Sequence, residues 1–202
     1  MRKVRDHYSK RAKAEQYWAR SVYKLIEIDL KFHLIRRGMR VLDIGCAPGS
    51  WSQHILKQVG DGHITGIDLA PSVNIGDSRF TYMQVDILDP DTVLNVGYGG
   101  GNETDPSSYD LILSDAAPKT TGNKFSDSQN SLRLVRAVYE ISRALLKGGG
   151  SVVAKVFQGE DLKAFVDSIR KDFGKVDLFK PKSSRAESRE LYIIARNWGG
   201  QA

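Results

Sequence analysis

The sequence predicts an α/β protein built on a mostly parallel β-sheet with helices on both faces. Three observations carry that prediction. From residue 40 onward, short β-branched runs alternate with segments of helical period. Each of the first four runs ends on or beside an acid, and the first, in VLDIGCAPGSW (41–51), passes through a glycine turn into a helical segment. In such a sheet ligands sit at the carboxyl ends of the strands, where those acids and glycines fall.

In chain order, the strands are expected at RVLDIG (40–45), HITGID (63–68), FTYMQVD (80–86), YDLILSD (109–115), GSVVAKVF (150–157) and ELYIIAR (190–196). Helices are expected at 50–59, 127–147 and 161–172. The second of these places Leu132, Val135, Val138, Ile141 and Leu145 at three- or four-residue steps before a Gly148-Gly149-Gly150 stop. Residues 97–108, GYGGGNETDPSS, have the composition of a flexible surface loop and are expected to be functionally silent. The chain contains no internal repeat and no heptad array.

A length of 202 residues with 41% hydrophobic content suits one sizeable core with an appendage. The net charge is +6 and the pI near 9.4, but the excess is unevenly placed. Residues 1–40 hold 12 basic and 4 acidic residues, a net +8, whereas residues 41–202 hold 18 and 20, a net −2. The division follows that asymmetry, with a basic N-terminal arm over 1–19 and one domain over 20–202. A concentrated basic segment on a nearly neutral body suggests a polyanionic partner, nucleic acid ahead of membrane.

The single cysteine, Cys46, excludes an intramolecular disulfide and a Cys-based zinc site. It reads as a small packing residue. His7, His33, His54 and His63 show no metal-ligand spacing and read as structural or surface residues, so no metal is expected. The apolar runs are too short to span a bilayer, and MRKVRDHYSK lacks the apolar stretch of a secretory signal. Asp6 and Glu15 interrupt what would otherwise resemble an organellar transit peptide. A cytoplasmic location is therefore expected.

A glycine-rich turn between a strand and its helix lets a ligand approach the main chain closely. A dinucleotide site wants G-x-G-x-x-G, whereas Gly45 and Gly49 are separated by Cys-Ala-Pro, and no G-x-x-x-x-G-K-[ST] is present. The remaining common ligand is S-adenosyl-L-methionine (SAM), which has no phosphate and offers a ribose diol, an adenine and a charged amino-acid tail. Those groups suit acids. Asp68, 25 residues after Asp43, is placed to take ribose hydroxyls, Asp86 to accept from an adenine amino group, and Trp51 to close over the site as an aromatic wall. The competing reading, strand-end acids that cap the following helices, explains one such acid better than four in succession.

Polar residues lodged in apolar strands point the same way. Lys155 interrupts VVAKVF, and a buried lysine without a partner is costly. Asp115 in LSDAAP and Glu190 in SRELYII sit at strand edges, and Lys24 lies in the helix-like SVYKLIEIDL. Taken singly, each reads as a salt-bridge member rather than a catalyst; if they converge at one sheet edge, the two lysines and two carboxylates would form a proton-handling cluster.

The motifs RSVYKL (20–25), VLDIGCAPGSWSQ (41–53), LSDAAP (113–118), KVFQG (155–159) and SSRAESRELY (183–192) together resemble the FtsJ/RrmJ (RlmE) family of SAM-dependent ribosomal RNA ribose 2′-O-methyltransferases. The resemblance runs from about Asp6 to Arg196. It implies a Rossmann-like methyltransferase fold with a seven-stranded sheet whose last strand is antiparallel. It also implies a catalytic tetrad of Lys24, Asp115, Lys155 and Glu190, and SAM contacts at Gly49, Trp51, Asp68, Asp86 and Asp115. Family members commonly have Gly where Ser50 stands, a change tolerated if the backbone there is not left-handed. Glu187 is a competing acid, but SRE before the strand makes Glu190 the match. The segment KTTGNKFSDSQNSLRL (119–134) resembles the family's bacterial pattern less than these motifs do, which bears on the RNA target more than on the chemistry.

The implied reaction displaces a methyl group from a sulfonium by a ribose hydroxyl, leaving S-adenosyl-L-homocysteine (SAH). Lys155 is assigned as general base or hydroxyl-polarising residue, Lys24 positions ribose and phosphate, Asp115 orients Lys155, and Glu190 anchors the lysine pair. Arg2, Lys3, Arg5, Lys10, Arg11, Lys13 and Arg20 are candidate phosphate contacts, with Tyr8, Tyr17 and Trp18 for stacking. The resemblance implies a uridine in the A loop of large-subunit rRNA, within the assembled 50S particle, with no obligatory protein partner. The compact length favours that target over a tRNA anticodon loop or an mRNA cap. A catalytically idle RNA-binding assembly factor would not need two buried lysines, and a small-molecule methyltransferase would leave the basic arm unexplained.

Overall fold

The computed structural model describes residues 2–89, 96 and 109–199. The loop expected at 97–108 lies outside the described residues, as do the side chains of Arg2, Lys3 and Arg5. Among the described residues the elements follow in order: α1 (Arg2–Ala14), α2 (Val22–Phe32), β1 (Arg40–Ile44), α3 (Ser50–Gln58), β2 (His63–Asp68), β3 (Phe80–Gln84), β4 (Tyr109–Ser114), α4 (Lys124–Leu145), β5 (Leu146–Phe157), α5 (Leu162–Ile169), β6 (Phe173–Phe179) and β7 (Glu190–Trp198). The sheet has seven strands in the order β3-β2-β1-β4-β5-β7-β6. All pairs from β3 to β5 are parallel, and β7 runs antiparallel to both β5 and β6.

Successive side chains alternate between two apolar layers, as strand geometry requires. Leu42, Ile112, Val152 and Ala154 join one core with Leu132, Val135 and Val138 of α4 and Leu162, Phe165 and Val166 of α5. Val41, Leu111, Leu113 and Val153 join the other with Leu25 and Ile28 of α2 and Trp51 and Ile55 of α3. Helices therefore cover both faces. Asn123 caps α4, its side chain accepting from the Phe125 and Ser126 amides. Among the described residues, no helix is long and apolar enough to cross a membrane.

Several element boundaries differ from the sequence reading. The helix expected over 127–147 ends at Leu145, and Gly148-Gly149-Gly150 lies within β5, where the β4 pairing shifts register between Tyr109 and Leu111. The helix expected over 161–172 ends at Ile169, because Phe173 already opens β6. That strand had no run of its own in the sequence reading. β6 is a sheet edge carrying Lys175 and Asp177, and charge on an edge strand guards against pairing with other chains while erasing the apolar alternation.

Candidate active site

The glycine turn closes β1 at the carboxyl end of the sheet. Gly45 has φ 72°, and a Cβ there would lie 2.8 Å from Ala116 Cα, so the turn and the end of β4 touch through main chain. Asp68, ending β2, accepts from Ala47 N and Ala70 N, each at 2.9 Å. Asp86 lies beyond β3 and accepts from Leu88 N at 2.9 Å. Both acids therefore brace local turns and still line a cleft of about 680 Å³ whose other walls include Leu69, Ile87, Asp115 and Leu134. Asp43 lies fully buried; one oxygen accepts from Ser52 Oγ at 2.5 Å, while Oδ1 has no partner among the described residues. Burial, reinforced by Asp115 and Asp68, pushes its carboxyl up to about 7. Burial likewise pushes the Cys46 thiol up, consistent with a packing residue.

Trp51 is not an aromatic wall of this cleft. Its indole is 3% exposed, packs 6.0 Å from the Tyr192 ring, and donates from Nε1 to Ser21 O at 2.9 Å. The exposed aromatic at the turn is Trp18, whose ring a Cβ on Gly49 would meet at 2.8 Å. Gly49 and Trp51 do not line the cleft; Gly49 starts α3 in a left-handed conformation with φ 116°. Ser50 is not left-handed, and its hydroxyl bonds Ser21 Oγ at 3.1 Å. The Ser21 contacts thus tie the start of α2, which carries Lys24, to the start of α3.

The four tetrad candidates meet as two ion pairs. Lys24 Nζ lies 2.7 Å from Glu190 Oε1, and Lys155 Nζ lies 2.9 Å from Asp115 Oδ1 while also donating to Asp115 O. Glu190 therefore holds one lysine, not both, because register places Lys155 opposite Tyr192. Tyr192, unforeseen from the sequence, joins the pairs. Its buried hydroxyl donates to Asp115 Oδ1 at 2.7 Å beside Glu190, and burial with both carboxylates holds the phenol well above its usual range. The available signal was period two, since Tyr192 follows Glu190 by two along a strand. Glu190 is positioned by the loop before it: Glu27 of α2 accepts from Lys182 N and Ser183 N, and Ser184 Oγ donates to Glu190 at 3.0 Å.

An FtsJ-like methyltransferase family model matches residues 17–198. The chain belongs to the FtsJ-like methyltransferase family. Similar proteins include the ribosomal RNA large subunit methyltransferase E of Oleidesulfovibrio alaskensis, 42% identical over 99% of this chain and 95% of that one. The protein of the same name from Desulfosudis oleivorans is 43% identical over 96% of this chain and 90% of its own. Among solved structures, a Plasmodium falciparum protein described as a ribosomal RNA methyltransferase aligns with a TM-score of 0.81 at 29% identity, covering 92% of this chain and 100% of that one.

In this FtsJ-like methyltransferase a second hollow, of about 460 Å³, meets the ion pairs away from the cleft. Arg20, Lys24, Arg185, Glu187 and Glu190 line it. Asp115 faces the cleft, Lys24 and Glu190 face the hollow, and Tyr192 lies between the two carboxylates. The basic arm is docked onto this body. Ala12, Val22 and Tyr23 form a small core with Tyr8 and Tyr17 packed against it, so those two rings are committed to packing. Tyr17 also bonds His54 Nδ1 at 3.2 Å, with Lys57 4.0 Å over its ring. Arg11 pairs with Glu15 and lies over Tyr23, while Arg20 donates to Ser183 O at 2.9 Å. Lys10, Lys13 and Trp18 are exposed. Among the described residues no cluster of His, Cys, Asp and Glu could hold a metal.

Proposed function

We propose that this methyltransferase moves the methyl group of SAM to a ribose 2′-hydroxyl of RNA, at a uridine of large-subunit rRNA in the assembled 50S subunit. The observation that carries the reading is the continuous polar seam from cleft to hollow: Asp115, Lys155, Tyr192, Glu190 and Lys24. The names borne by the similar bacterial proteins support the rRNA target. The cleft fits SAM in three respects. Its volume of about 680 Å³ suits a nucleoside with an amino-acid tail, its carboxylates suit a cation, and Leu69, Ile87 and Leu134 suit an adenine ring. Asp68 would accept from the ribose hydroxyls with the lone pairs its two backbone contacts leave, and Asp86 from the adenine amino group. Bound there, SAM supplies an electrophilic methyl group.

The chain's own task is to align and deprotonate a poor nucleophile. Two directions around Lys155 Nζ are taken by Asp115, so in the unprotonated amine the remaining one is the lone pair, which accepts from the incoming hydroxyl. As the new O–C bond forms and the methyl group's bond to the sulfonium breaks, the hydroxyl proton passes to the Lys155 amine, and Asp115 balances the charge of the ammonium so formed. Tyr192 keeps Asp115 in place. Lys24, held by Glu190, shares the hollow with Arg20 and Arg185 and would seat the ribose and its phosphate.

The test is methyl transfer from labelled SAM to 50S subunits, bare rRNA and tRNA, followed by nucleoside analysis, with wild type and Lys155→Ala. The expected result is 2′-O-methyluridine on 50S subunits, and loss of at least about 10²-fold in Lys155→Ala with SAM binding retained. Label on tRNA alone would overturn the substrate. Undiminished turnover by Lys155→Ala would overturn the catalytic assignment. SAM binding with no transfer to any RNA would replace the enzyme with an assembly factor.

A further inference from the structure

Residues 119–125, KTTGNKF, are exposed at every position, yet their backbone is held from beneath. Asp127, 4% exposed, accepts from Thr121 N at 2.7 Å, Thr121 Oγ1 at 2.9 Å and Gly122 N at 3.3 Å. Asn123 accepts from Phe125 N and Ser126 N. Such a ridge presents its side chains without the entropy cost of ordering a loop on binding. Those side chains include two lysines and a phenylalanine that is 61% exposed.

The ridge also has a defined place relative to the ion pairs. At one end Pro118 and Lys119 line the cleft with Asp115. At the other, Arg189, next to Glu190, donates to Lys124 O at 3.0 Å and Gln158 O at 3.4 Å, and its own carbonyl accepts from Gln158 N at 2.8 Å. The ridge thus spans from the cleft to the loops that follow Lys155 and precede Glu190. Glu160 and Asp161 are the acids on the neighbouring loop, and Asp161 is engaged by Gln129 at 2.6 Å.

We infer that this ridge is a contact for single-stranded RNA beside the target nucleotide, with Phe125 as a platform for one base and Lys124 and Lys119 against flanking phosphates. The inference rests on the RNA reading proposed above. Aromatic faces stack any base, and adjacent cations follow the backbone, a combination suited to unpaired RNA. A ribose that reaches Lys155 would carry its neighbouring nucleotides across this surface.

The experiment measures binding of a fluorescein-labelled oligouridine of about 12 nucleotides across a salt series in the presence of SAH, together with methylation of 50S subunits. Phe125→Ala is expected to weaken oligouridine binding about ten-fold, Phe125→Trp to restore it, and Lys124→Ala to flatten the plot of log affinity against log salt by about 0.7. Unchanged SAH affinity in each variant reports an intact fold. Wild-type affinity in Phe125→Ala at every salt concentration would overturn the ridge. Abolished 50S methylation with unchanged oligouridine binding would overturn it in favour of a protein contact. A wild-type chain that neither binds nor methylates RNA would remove the proposed function, and the ridge with it.

Discussion

Asp43 is fully buried, with one oxygen lacking a partner among the described residues, and burial raises its carboxyl from 3.8 to about 7. Between those values the unfolded chain carries the charged form while the folded chain keeps the proton. Folding therefore loses stability as pH rises across this window, and the loss is complete above it. Asp43→Asn should remove that slope. The melting temperature of the variant relative to wild type, without SAM, should rise from about pH 4.5 to about pH 7.5; a constant difference would contradict the assignment. Asp43 also illustrates the limit of reading single residues from sequence. Its place at the end of β1 was legible, and so were the identities of Lys24, Asp115, Lys155 and Glu190. Which lysine meets which carboxylate depends on strand register, and Tyr192 enters only through that register.

At the level of elements, the sequence places the glycine turn correctly because strand, turn and helix are local, and it locates the parallel strands through their apolar runs. It does not locate β6, whose edge position leaves little apolar pattern, and it misplaces the Trp51 indole, because only the packing of α2 on α3 decides which way that side chain turns. The turn permits a controlled comparison between two left-handed glycines. Gly45 at φ 72° has Ala116 main chain 2.8 Å from a prospective Cβ, whereas Gly122 at φ 86° has nothing within 4 Å. Gly122→Ala should cost about 1 kcal/mol from backbone conformation alone. Gly45→Ala should cost roughly 1–3 kcal/mol and also weaken SAH binding, since Ala116 must retreat into the cleft. Denaturant midpoints and SAH titrations check both. Equal costs at the two sites would mean that the contact between the turn and β4 is not tight.

On the scale of the whole molecule, the +8 of residues 1–40 is not a free tail. α1 packs through Ala12 onto Val22 and Tyr23, and two of the residues expected to meet RNA, Arg11 and Arg20, already bind Glu15 and Ser183 O. The docked arm brings Arg20 to the wall of the hollow that Lys24 and Glu190 share, so the arm's charge and the proposed catalytic seam lie on a common path. Lys10 and Lys13 are exposed on α1 and extend that path. Reversing both, as Lys10→Glu with Lys13→Glu, leaves the Ala12 packing in place and inverts the field an RNA meets there. Affinity for bare rRNA should fall most at low salt, with SAH affinity unchanged. The slope against log salt should shallow by about 0.7 for each single-strand phosphate that the arm ceases to neutralise. An unaltered slope would assign the arm's charge to α1 docking and leave RNA capture to the hollow and the 119–125 ridge.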